Sequence, residues 1–110
     1  FEPQAVANIA WAFAKLGVYD SALMTAIGAR IARAGALAEF SAQAVANAAW
    51  AFATLDIRDP EVMAAITARA LRDGALAEFK AQEVANLAWA FARLGVQDGP
   101  VMTALAARIL

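Results

Sequence analysis

The chain contains no cysteine and no histidine. Without thiols there is no disulfide framework, thiolate nucleophile or cysteine-based zinc cluster, and without imidazole the commonest general base and metal ligand is missing. Serine occurs only as Ser21 and Ser41, the carboxylates stand mostly singly, and no glycine-rich phosphate loop is present. The residues of a catalytic constellation are therefore not assembled in this sequence, and we expect no enzyme, no metal and no cofactor. Excess positive charge is lacking too: nine basic and ten acidic residues leave a net charge of −1 and a pI near 5.2. A strongly basic nucleic-acid binder, whose domain pI would exceed about 9, is excluded by that balance. No uncharged run reaches the roughly 18–20 residues that cross a bilayer, so a membrane-spanning protein is not expected, although 63% of residues are apolar and the mean hydropathy is +0.56. Much of that apolar content is alanine, which adds little hydrophobic drive but lets helices approach closely. No signal or transit segment is visible.

What the chain does have is repetition. The string Gln-(Ala/Glu)-Val-Ala-Asn-x-Ala-Trp-Ala-Phe-Ala occurs at Gln4–Ala14, Gln43–Ala53 and Gln82–Ala92, each copy 39 residues after the last. A fixed period of this size marks an array whose function comes from one face repeated. The units are 1–39, 40–78 and 79–110, the third a partial one. The start on Phe1 without an initiator Met, and the lack of polar terminal caps, lead us to expect a segment of a longer array.

Each unit predicts two helices. The first spans Pro3–Leu16, with copies at Ala42–Leu55 and Ala81–Leu94; Ser41 is an N-cap for the second copy, and Pro3 suits a first helical position. Gly17 and Gly95 end two copies as left-handed residues, with Asp56 in the same place in the middle one. The second helices start at the caps Asp20, Asp59 and Asp98, and Gly35 and Gly74 end them before an Ala-Leu-Ala-Glu-Phe link. No strand pattern competes, so the fold is an all-α solenoid of three helix-turn-helix repeats.

At 100° per residue the first helix divides into three faces. Val6, Ile9, Phe13 and Leu16 form the expected buried stripe; Ala7, Ala10 and Ala14 form a small-residue stripe for close helix approach. Gln4, Asn8 and Lys15 form a polar face with Trp11 on its border. Leu23, Met24, Ile27 and Ile31 share the apolar side of the second helix. Asparagine is a mediocre helix former, yet Asn8, Asn47 and Asn86 recur mid-helix. Two readings stand: a ladder joining neighbouring units, or donor and acceptor groups lining a groove. Gln4, Gln43 and Gln82 divide between a structural role near the helix start and the same groove. Trp11, Trp50 and Trp89 divide between packing and ligand stacking. Arg30, Arg69 and Arg108 read as partners of the helix C-terminal dipole, of Glu39 or Glu78, or of phosphate. The offset held by Lys15, Thr54 and Arg93 varies beside the constant asparagines, as a modular reader of different targets requires.

The pattern Phe-x-x-Gln-x-Val-Ala-Asn-x-Ala-Trp-Ala-Phe-Ala-x-Leu-Gly, followed by a short loop and a second helix rich in Leu, Met and Ala, resembles the octatricopeptide repeat, related forms of which occur beside RAP domains. The resemblance covers all three units. It implies a helical-repeat RNA binder of chloroplasts or mitochondria, acting in RNA processing, stability, splicing, translation or ribosome assembly. By analogy with other helical-repeat readers, each unit addresses about one nucleotide of single-stranded RNA through its first helix. The implied contact residues are Gln4, Asn8, Lys15, Gln43, Asn47, Thr54, Gln82, Asn86 and Arg93. The alternative is a protein–protein interaction scaffold, in the manner of armadillo-type solenoids whose asparagines hold an extended peptide. Equally, it is a structural subunit of a large organellar complex such as a ribosome or a photosynthetic or respiratory assembly. Partners are then single-stranded RNA or rRNA, or else protein subunits, with no small-molecule substrate.

Overall fold

The computed structural model describes residues 1–72 and 74–110, with every side chain among them except that of Ile109. Six α-helices follow in order: α1 (Pro3–Lys15), α2 (Ser21–Ala32), α3 (Ala42–Thr54), α4 (Pro60–Leu71), α5 (Ala81–Leu94) and α6 (Gly99–Ile109). No strand occurs among the described residues. Helices α1, α3 and α5 pack side by side as one layer, and α2, α4 and α6 form a looser second layer behind them. The chain is thus the helical-repeat solenoid that its period implies.

Local chemistry sets the helix starts. Asp20 Oδ1 accepts from Leu23 N at 2.9 Å, Asp59 Oδ1 from Val62 N at 3.3 Å and Asp98 Oδ1 from Val101 N at 2.9 Å. Ser41 Oγ accepts from Ala44 N at 3.1 Å, and at α5 Glu83 Oε1 reaches back to Lys80 N at 2.8 Å. Each such cap contributes about 1 kcal/mol. Behind α1 and α5 the chain turns through Gly17 and Gly95 at φ +70° and +71°, and behind α3 through Asp56 at +56°.

The second helices end earlier than their glycines suggest. Helices α2 and α4 stop at Ala32 and Leu71, because Arg33 and Arg72 take extended backbone at ψ 141° and 156°. Gly35 and Gly74, left-handed at φ 75° and 68°, instead open single 3-10 turns over Ala36–Glu39 and Ala75–Glu78. The link is therefore an ordered turn.

Two arginines fasten it. Arg69 donates from Nε to Leu37 O and from Nη2 to Phe40 O, both at 3.0 Å. Arg108 repeats the fork on Leu76 O at 3.1 Å and Phe79 O at 2.9 Å. This corrects the expectation that these arginines serve the dipole of their own helix or pair with Glu39 or Glu78; among the described residues the partner of Glu78 is Arg72, at 4.0 Å. Burial pulls the Arg69 guanidinium below its ordinary range, with the charge of Arg72 acting the same way and Glu78 opposing. Arginine nevertheless stays charged at neutral pH.

The alanine stripe is buried as expected: Ala7 and Ala10 are fully covered, and Ala14 nearly so. Of the larger stripe of α1 only Val6 is buried. Leu16 is 77% exposed, and Ile9 and Phe13 are only half-buried, whereas Phe52 and Phe91 are fully enclosed. Helix α1 has a first-layer neighbour, α3, on one side only, and Ile9 packs at the margin of the core.

Candidate functional site

Helix α3 identifies the open face most clearly, since α1 and α5 cover both of its flanks and α4 packs behind it. Only Ala42, Gln43, Asn47, Trp50 and Thr54 escape burial along its length. The last four stand at i, i+4, i+7 and i+11, which a 100° rotation places within one narrow arc. The same offsets in α1 give Gln4, Asn8, Trp11 and Lys15, and in α5 Gln82, Asn86, Trp89 and Arg93. Side-by-side packing thus turns four positions per helix into four rows that cross the layer.

The tryptophan row is continuous. Trp11 and Trp50 have ring centroids 6.1 Å apart at 35°, and Trp50 and Trp89 6.3 Å apart at 30°. Trp11 and Trp89 remain 39% and 44% exposed. Trp11 stands at the border of the polar face expected from the sequence, outside the nine expected contact residues. At 100° per residue Trp11 falls about 20° beyond Gln4, at one edge of the arc that Asn8 closes on the other side, so the helical angle does place it on this face.

The amide rows are ordered within each helix. Gln4 Nε2 donates to Asn8 Oδ1 at 3.1 Å, and Gln82 Nε2 to Asn86 Oδ1 at 3.0 Å. Between helices, Ser41 Oγ donates to Gln4 Oε1 at 3.1 Å. None of the three asparagines is buried, and among the described residues none bonds to a neighbouring repeat.

The fourth row is mixed. Lys15 Nζ lies 5.9 Å from the Trp11 ring centre, and Arg93 Cζ lies 5.9 Å from that of Trp89. Arg93 also donates from Nε to Ala53 O at 3.0 Å, closing a carbonyl at the end of α3. Arg58 does the same for α5, donating from Nη1 to Leu94 O at 2.8 Å. Both place positive charge at the negative end of a neighbouring helix dipole. Thr54 Oγ1 is buried without a hydrogen-bond partner. The nine residues implied as contacts therefore do stand on one face, but Arg93 is partly committed to the fold and Thr54 turns its hydroxyl inward.

Among the described residues no group of three or more Asp and Glu side chains could hold a metal ion, and no helix is long and apolar enough to cross a membrane. The face offers aromatic surface, amides and two cations, which suit binding.

Comparison with protein families gives a match over residues 1–110 to the model for RESC6, described as RNA-editing substrate-binding complex 6 protein. This corrects the octatricopeptide resemblance, because the whole chain answers to a different family. The match is to a component of an RNA-editing complex, consistent with a role in RNA processing or as a complex subunit, compatible with an organelle and giving no support to a chloroplast. A comparison with curated proteins finds no match.

Proposed function

The chain belongs to the RNA-editing substrate-binding complex 6 protein family, and we propose that it is a non-catalytic scaffold subunit of an RNA-editing complex, holding a partner against α1, α3 and α5. A mitochondrial setting fits that family. The observation that carries the reading is the unbroken row Trp11–Trp50–Trp89 on an accessible face. Tryptophan is a costly residue to leave in water and a common anchor at interfaces, and contiguous aromatic surface marks an interaction site.

Direct contact with RNA is the second reading, favoured by the cations Lys15 and Arg93 poised over exposed tryptophans. Aromatic platforms with nearby basic groups suit single strands. Replacing Trp11 and Trp89 by Glu in the whole protein separates the readings. The scaffold reading expects the variant to keep its helical circular dichroism and to lose co-purification with the editing complex. It also expects the wild-type association to survive ribonuclease. Association that disappears on ribonuclease treatment would transfer the function to RNA, and association indifferent to both tryptophans would remove this face from consideration.

A further inference from the structure

The chemistry of the four rows restricts what lies on them. The tryptophan rings already touch, tilted at 35° and 30° with centroids 6.1 and 6.3 Å apart. A base sandwiched between two rings needs them parallel as well as roughly 6.8 Å apart, and the tilts of 35° and 30° deny it parallel faces. The same spacing does match an extended polypeptide. Residues two apart on such a chain point to the same side and lie about 6.6 Å apart.

The amides add an independent restriction. Because Gln4 and Gln82 donate to Asn8 and Asn86, both pairs leave the Asn Nδ2 donors for a ligand, and Gln82 also leaves its Oε1 acceptor, whereas Gln4 Oε1 takes the Ser41 hydroxyl. Peptide backbone carries one donor and one acceptor at every residue. The phosphates of a nucleic-acid strand only accept, and their contacts call for donors, above all charged ones. Charge points the same way. Across three helices the fourth row offers Lys15, a threonine whose hydroxyl is buried, and Arg93 with its Nε on Ala53 O. That is too little to neutralise a strand of phosphates, whose contacts dominate nucleic-acid affinity. It is enough for one or two carboxylates.

We infer that the face of α1, α3 and α5 holds an extended, neutral-to-acidic peptide segment of a partner protein. Apolar side chains at every second residue lie over Trp11, Trp50 and Trp89, the peptide backbone bonds to the Gln–Asn pairs, and a carboxylate faces Lys15. This rests on the scaffold reading and specifies its partner. The peptide crosses the helices along the tryptophan row.

All three tryptophans of the chain stand on this face, so their emission reports its occupation directly. The probes are a synthetic peptide of roughly nine residues, about 30 Å when extended, alternating valine with threonine and aspartate; the same composition with its valines in one block; and an oligouridylate of similar length. The alternating peptide is expected to shift the emission saturably, and the block peptide to bind at least about tenfold more weakly. Asn8→Ala with Asn86→Ala, its folding verified by circular dichroism, is expected to weaken the alternating peptide by about tenfold. The inference is overturned if the two peptides bind alike, if the amide variant binds unchanged, if no peptide shifts the emission, or if only the oligouridylate does so with a steep loss in salt. A chain that ignores every peptide yet still needs Trp11 and Trp89 to join its complex defeats this inference alone. One that joins without them defeats the scaffold reading as well.

Discussion

Asn47 sits in the middle of α3, half-buried, with no hydrogen bond to any described side chain. In that position asparagine costs up to about 0.7 kcal/mol relative to alanine, since its amide competes with the helix for backbone groups. Nothing in the packing demands it: the residues around it on α3, from Ala44 to Ala46 and at Ala48 and Ala49, are small and fully covered without its help. A half-buried amide without a hydrogen-bond partner among the described side chains, on the open face, is free to bond a ligand. Asn47→Ala is therefore expected to raise stability by about 0.5 kcal/mol, or roughly 2–4 °C in melting temperature, measured by thermal circular dichroism. Asn8→Ala and Asn86→Ala also break a bond from Gln4 or Gln82 and gain less. A loss of stability at Asn47 would make the amide row structural.

The joints between elements depend on the arginine fork, and its three copies are not equivalent. Arg69 is 5% exposed and closes two carbonyls of the preceding link, while Arg108 makes the same two bonds from a more open position. Arg30, at the same offset, makes no hydrogen bond or ion pair among the described residues. Truncating Arg69 leaves Leu37 O and Phe40 O without their charged donor, so Arg69→Ala is expected to cost about 3 kcal/mol in urea unfolding. Arg108→Ala costs about 1–2 kcal/mol, and Arg30→Ala stays within about 0.5 kcal/mol. Arg69→Lys keeps the charge, lacks the planar fork and falls between. Equal costs at the three positions would reject the fork as the joint. None of this was legible in the sequence, because the acceptors are backbone carbonyls about thirty residues away and carbonyls carry no sequence signature. What is local was legible: the aspartate caps, the turns at Gly17, Asp56 and Gly95, and first helices right to within a residue. The polar face followed from the helical angle, with Trp11 at its edge; that the three tryptophans form one continuous row depends on how the helices pack and was not legible. The family was misread because Gln, Asn and Trp at those offsets fit more than one kind of helical hairpin.

At the scale of the molecule, the 38 × 25 × 22 Å stack is held by contacts between neighbouring repeats, and its middle repeat has neighbours on both sides. Stability in such a stack is close to a sum of repeat and nearest-neighbour terms. The phenylalanine at one offset measures this: Phe52 and Phe91 are fully enclosed, while Phe13 is half-buried on the open flank of α1. Phe52→Ala is expected to cost about 3–5 kcal/mol, a large share of the roughly 5–15 kcal/mol available to a domain, and Phe13→Ala distinctly less. The two also differ in kind. Trp50 bridges Trp11 and Trp89, so loosening α3 breaks the aromatic row in its centre although Phe52 itself lies behind it. In a urea titration of Phe52→Ala, tryptophan emission should therefore change before helical circular dichroism is lost, whereas in Phe13→Ala the two transitions should coincide. Coincident transitions in both variants would mean that the row does not depend on the middle repeat, and that the three helices hold their outward positions independently.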